Sequence, residues 1–439
     1  MTHRINASRV MIAVSLVLLG SIGVAAAGGR RIPLFAPFDN PTGEARTVST
    51  ADGPDRHNLF FEDLGTNGRR CVTCHMPTDG WTIVPAHVQA RFEMTQGSDP
   101  IFRTNDGSNS PLANVSTIDA RRTAYSMLLS KGLIRVGMPI PPGAEFTLEA
   151  VEDPYGFASA AEMSLFRRPL PSTNLAFLST VMWDGRETFP GQTIAFDLAD
   201  QANGATVGHA QATRSLTEAE RAEIVEFESS LFTAQVRDGE AGQLHAAGAR
   251  GGPKILSDQE FYPGINSSSD PTGRPVDPRV FTLFDRWGTA HGRLSAARRA
   301  VARGEALFNE RKFGTKGSTC SGCHNAPNAG SNSNGFLSNL GLSDESRRAP
   351  DMPLYTLRCT ATGVVTRTTD PGRALVTGRC ADIGRFKVPT LRGLAARAPY
   401  FHNGLAATLD DVVQIYEERF GMGLTAEEKR DLAAFLRAL

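Results

Sequence analysis

The chain has no net charge, because 46 Lys and Arg balance 46 Asp and Glu across 439 residues. Without a basic field there is no electrostatic footprint for nucleic acid. Beyond its first 27 residues it also has no long apolar run, so the body holds nothing like the ~17–25 residues that a membrane span requires. Strand-like alternation is sparse. Cysteine is scarce as well, six in all, and that scarcity makes the placement of each one informative.

The exception to the missing apolar run is the N-terminus. His3, Arg4 and Arg9 precede "VMIAVSLVLLGSIGVAAA", and Gly28 follows. This is the charged, apolar and small-residue order of a secretory signal, with cleavage expected after Ala27. Uncleaved, the same run is near the lower length of a membrane anchor, which is the one route to a membrane association. Either way the body is expected to be exported, to the periplasm.

Four of the cysteines fall in a phrase written twice. "GTNGRRCVTCH" runs from Gly65 to His75 and "GTKGSTCSGCH" from Gly314 to His324. Two thiols separated by two residues, with histidine directly after, suit a covalent c-type haem: each thiol adds to a vinyl group and the histidine supplies an axial nitrogen. A redox dithiol or a four-cysteine zinc site is the competing reading, but neither accounts for the histidine. Leu59-Phe60 and Leu307-Phe308 precede the two phrases at nearly equal distance, as though a helix delivered each segment to the same kind of site. The expectation is two covalent haems, on Cys71, Cys74 and His75 and on Cys320, Cys323 and His324. Such attachment takes place outside the bacterial cytoplasm, in keeping with the export signal. Cys359 and Cys380 remain, and in an oxidising compartment an even remainder predicts a disulfide.

Along the chain, residues 30–58 suggest an extended lead-in, and 81–168 an irregular elaboration around the first haem. Helices are predicted where hydrophobic periodicity coincides with capping boxes: after Thr217 with Glu220, after Thr408 with Asp411 and after Thr425 with Glu428, with another over "RLSAARRAVARGEALFNE". The fold class expected is mainly α, with two cytochrome c-type haem domains, long loops and little sheet. The domains are set at 28–290 and 291–439.

Two further stretches, "LPSTNLAFLSTVMWDGRET" between the phrases and "GRFKVPTLRGLAARAPYFHNGLAATLDDVVQIYEERFG" near the end, complete a pattern. Together with the two haem motifs they resemble the bacterial di-haem cytochrome c peroxidase family, whose relatives include MauG. The resemblance implies that peroxide reacts at the N-terminal haem and that electrons or oxidising equivalents pass through the C-terminal one. It places Trp183 of "WDGR" between the haems as a relay, Arg186 as a candidate propionate partner and His402 as a shaper of the inter-haem region. The family also holds calcium, partly through backbone carbonyls matching Arg397 to Pro399. Here Arg168 and Pro169 stand where an asparagine would precede "LPST", which puts calcium in doubt.

The family's distal glutamate is missing too, and His209, Asp200 or Gln211 is left to move the proton that peroxide cleavage requires. His209 suits this best by chemistry, since an unperturbed imidazole titrates near neutrality. Tyr416 lies where the peroxidases place a methionine ligand of the C-terminal haem and MauG a tyrosine; Met422 is its rival, and His87 a candidate ligand of the first haem. A phenolate would favour the oxidised iron, hence a MauG-like leaning. The partners implied are hydrogen peroxide and either a small cytochrome or copper-protein electron donor or an oxidisable protein or small molecule. The competing readings are a non-catalytic di-haem electron-transfer cytochrome and a subunit of a respiratory complex.

Overall fold

The structure is a computed structural model that describes residues 35–51, 56–315 and 317–439; the expected signal segment, 1–27, lies outside the described residues. Among the described residues no helix is long and apolar enough to cross a membrane.

The helices expected from capping boxes are in place. Thr217, Thr408 and Thr425 each accept the backbone N–H three residues on, while Glu220, Asp411 and Glu428 reach back, opening Glu218–Ser229, Leu409–Phe420 and Ala426–Arg437. Ser295–Glu310 packs on Ala426–Arg437 around Phe281, Phe284, Phe308 and Phe435, all essentially buried. Each such ring contributes roughly 1.5–3 kcal/mol. Gly304 makes the close approach possible, since a Cβ there would meet the Asp431 carbonyl oxygen at 2.0 Å.

The chain is nevertheless of mixed helix and sheet, with more sheet than the sequence pattern promised: the described residues form one four-stranded, one three-stranded and two two-stranded sheets. The lead-in is not merely extended. Phe38–Asn40 and Gly43–Ser49 pair antiparallel, and the second strand pairs with Leu231–Asp238. There the Thr47 and Thr233 hydroxyls meet at 2.8 Å, and Thr47 also accepts the Trp81 indole N–H at 2.8 Å, tying the sheet to the segment behind the first haem phrase. Within 81–168, Phe146–Glu152 pairs with Leu354–Cys359, and Ile134–Met138 with Met163–Arg167. These strands are short, several carry polar faces, and their partners are distant in sequence, so no local periodicity announces them.

Cys359 and Cys380 form the expected disulfide, with 6.0 Å between their Cα atoms. It fastens the Leu354–Cys359 strand to the turn that leads back toward the second haem segment. Closing a loop with a sequence separation of 21 stabilises by roughly 3 kcal/mol on the chain-entropy account. Replacing both cysteines with alanine should therefore lower the thermal midpoint while leaving haem content unchanged; an unchanged midpoint would contradict the bridge's structural role.

Candidate haem sites

Each cysteine pair occupies a one-turn helix, Cys71–Cys74 and Cys320–Cys323, and each histidine caps it, donating its backbone N–H to the first cysteine's carbonyl at 3.0 Å. The likeness extends to the side chains. His75 Nδ1 donates to the Trp81 carbonyl at 3.1 Å and His324 Nδ1 to the Gly330 carbonyl at 2.5 Å, both six residues on. With Nδ1 engaged by a carbonyl, each ring carries its proton there, and Nε2 is the nitrogen that could bind a metal. Burial pushes both imidazoles down to about 4, so both are neutral, as a ligand must be. Phe60 lies 6.3 Å from the His75 ring and Phe308 6.0 Å from the His324 ring. The two Leu-Phe pairs thus serve equivalent places, although a single 3-10 turn carries the first and a long α-helix the second.

The thiols separate the chemical readings. All four are unpaired, and burial pushes Cys71 and Cys320 up to about 12, the opposite of a reactive dithiol. Cys71 and Cys74 line one cavity, while Cys320 and Cys323 line another. The four sulfurs therefore do not converge on one ion.

Buried polar atoms around these apolar cavities suit the anionic edge of a haem. Lys387 borders both cavities, and its ammonium has one partner, the Thr180 carbonyl at 2.7 Å. Burial pushes it down to about 7, a penalty that a propionate would relieve. Thr390 Oγ1, facing both cavities, and His402 Nδ1, beside the second, are buried without a partner among the described residues. The residues present fit the haem group at each site.

Trp183 lines both cavities. Its indole N–H donates to the Arg168 carbonyl at 2.8 Å, and its ring meets His402 edge-on at 6.2 Å. His402 in turn stacks on Phe386 at 3.8 Å. The neighbouring Asp184 is fully buried between Arg167, at 2.5 Å, and Arg186, at 3.1 Å. Burial pushes the Asp184 carboxyl up, but the two guanidiniums outweigh it and hold it at about 2. Arg186 borders the first cavity while paired to Asp184.

His209 caps the Ile194–Gly208 helix and faces the first cavity together with His75. Its Nδ1 donates to the Asp106 carboxylate, whose other oxygen pairs with Arg69. Burial pushes the Asp106 carboxyl up, but His209 and Arg69 together draw it below its ordinary value. The Asn67 side chain holds the His209 carbonyl at 2.8 Å, so residues of the first haem phrase fix this histidine. Of its rivals, Gln211 bonds Asn67 and Asp200 lies in a separate outer groove near Glu218. His87 is bound to Asp79 at 2.5 Å and lines neither cavity. Tyr416 and Met422 both line the second cavity with His324, and burial pushes the Tyr416 phenol up.

Sequence reasoning missed Asp106, Arg69 and Glu228. Glu228, on the helix after Thr217, is buried in the wall of the first cavity, and burial pushes it up to about 7 against a hydrogen bond from Ser172. Its only sequence signal was a carboxylate on the apolar side of an amphipathic helix. The carbonyls of Arg397 and Ala398 accept from the Arg168 guanidinium, so the place considered for calcium is filled by a side chain.

No family model matches the chain. It is 36% identical to the cytochrome-c peroxidase IdrP1 of Denitromonas iodatirespirans over 175 residues, 36% of this chain and 44% of that protein. With the cytochrome c551 peroxidase of Nitrosomonas europaea the identity is 31% over 239 residues, 48% and 63% of the two. The chain thus spans about half the length of the curated relatives it matches. A solved MauG-like protein associated with microbial copper homeostasis is a remote likeness only, with TM-score 0.41 and 17% identity over 94% of this chain and 95% of that one.

Glu228 gives a direct pH test. Its folded value lies near 7 against an ordinary 4.5, so the stability it contributes is whole below about pH 4.5 and is lost as pH rises to about 7. Glu228→Gln should remove that slope. The thermal midpoint of the wild type should fall relative to the variant between those two pH values; parallel profiles would contradict the assignment.

Proposed function

We infer that the chain is a member of the bacterial di-haem cytochrome c peroxidase and MauG family and an exported, peroxide-dependent di-haem oxidoreductase. The observation that carries this reading is the pair of CxxCH cavities sharing Trp183 as a wall, with an Asp–His pair opening onto the first. Cys71, Cys74 and His75 would hold one haem and Cys320, Cys323 and His324 the other. When bound, these groups supply peroxide activation and the storage and passage of oxidising equivalents.

The chain's own residues supply the rest. His209 Nε2 takes and returns a proton in the first cavity, while Asp106 fixes its tautomer and stabilises the imidazolium, held in turn by Arg69. Trp183 carries electrons or holes between the cavities, its indole fixed through N–H to the Arg168 carbonyl. Tyr416 lines the second cavity and would hold the haem iron there through its phenol oxygen, which would favour oxidised iron over intake of electrons and would give the MauG-like leaning. Equivalents leave through the second cavity, to a small cytochrome or copper protein or to an oxidisable protein or small molecule.

Denaturing mass spectrometry should find two haem additions on the wild-type chain and one after Cys320→Ala with Cys323→Ala. Hydrogen peroxide at one equivalent should shift the optical spectrum within seconds. His209→Ala should slow that shift about 100-fold or more, the usual range for loss of a general base. A spectrum indifferent to peroxide at every redox poise would favour the electron-transfer cytochrome instead.

Tyr416→Phe should alter the low-spin ferric resonance, and Met422→Leu should leave it unchanged. The reverse result would pass the ligand position to Met422.

A further inference from the structure

Arg168 directly follows the Met163–Arg167 strand and is 4% exposed. Its guanidinium donates to five backbone carbonyls. Nη1 reaches Lys131 at 2.9 Å and Gly132 at 3.5 Å, while Nη2 reaches Ile83 at 2.8 Å, Arg397 at 3.2 Å and Ala398 at 3.5 Å. These oxygens come from three separate parts of the chain: the stretch behind the first haem phrase, the end of the Ser126–Lys131 helix, and the loop preceding His402. Buried carbonyls that converge in this way are the donor set of a hard cation, and they would be costly to leave without a partner.

The surroundings are shaped to the guanidinium. Gly132 stands at φ +62°, and a Cβ there would come within 2.2 Å of Nη1. Burial pushes the Arg168 guanidinium down to about 10, with the attraction of the buried Asp79 opposing it and Arg397 adding to it. The same residue's main chain reaches the functional region directly: its N–H donates to the His402 carbonyl at 2.6 Å and its own carbonyl accepts the Trp183 indole.

We propose that Arg168 is a built-in cation: its guanidinium fills a cage of carbonyls where a divalent metal would otherwise be needed, joins the two haem-bearing parts of the chain, and positions Trp183 without calcium. The charge is part of the polypeptide, so neither chelation nor calcium supply can regulate the junction. This inference rests on the cage geometry and is independent of the peroxide reading.

The test uses the full-length, haem-loaded protein. Elemental analysis should find no stoichiometric calcium, and excess EGTA should move neither the thermal midpoint nor the ferric spectrum. Calcium in the wild type that EGTA removes with a change in either readout would overturn the proposal. Arg168→Asn shortens the side chain and removes the charge while keeping the Gly132 space, so its midpoint should fall by about 5 °C or more. Calcium chloride at about 1 mM, within the range of weak extracellular sites, should restore much of that loss in the variant and leave the wild type unmoved. A variant as stable as the wild type, or one that calcium does not restore, would also overturn it. If the variant does not accumulate, the wild-type response to EGTA decides alone.

Discussion

Two cavities can share a wall only if that wall is held still, and here two consecutive buried arginines hold it. Arg167 pairs with Asp184 and, through two bonds of 2.7 and 2.9 Å, with Asp370. Arg168 gathers carbonyls from three segments and accepts the Trp183 indole on its own carbonyl. Trp183 and Asp184, adjacent in sequence, are thereby fixed by adjacent residues of one strand end. Breaking such a buried pair by removing one partner commonly costs ~3–5 kcal/mol. Displacement of the indole would follow, and with it the loss of the wall between the cavities.

The candidate haem sites were legible because their chemistry is local. A cysteine pair, the histidine after it and the preceding Leu-Phe all fall within a short stretch, and the repeat made chance implausible. The capped helices were legible for the same reason: cap and periodicity lie within a few turns. What escaped depends on partners far apart in sequence. His209 was named for its titration range, but its partner Asp106 lies 103 residues away. The strand Phe146–Glu152 finds its mate at Leu354–Cys359, and no periodicity in the intervening chain records that pairing. Arg168 was noticed only as a departure from a pattern; its use became visible when the carbonyls of Ile83, Lys131 and Arg397 came together in space.

The first cavity also holds candidates for what the resemblance lacked. Without a glutamate in the expected stretch, the wall offers an imidazole backed by a carboxylate and, separately, the buried carboxyl of Glu228. An imidazole oriented through Nδ1 changes its proton at Nε2 without moving. Glu228, with Ser172 as its neighbour, is suited instead to holding a proton near neutral pH. The two groups therefore have different chemical roles although they border one space.

The central claim is that Trp183 makes the two haem sites one redox unit, and freeze-quench electron paramagnetic resonance after one equivalent of hydrogen peroxide tests it most directly. In the wild type the ferric signals of both haems should decline together. In Trp183→Phe the signal of the His324 site should lag behind that of the His75 site while the first step keeps its rate. Identical time courses in the wild type and the variant, or a wild type in which a single site responds, would contradict the account.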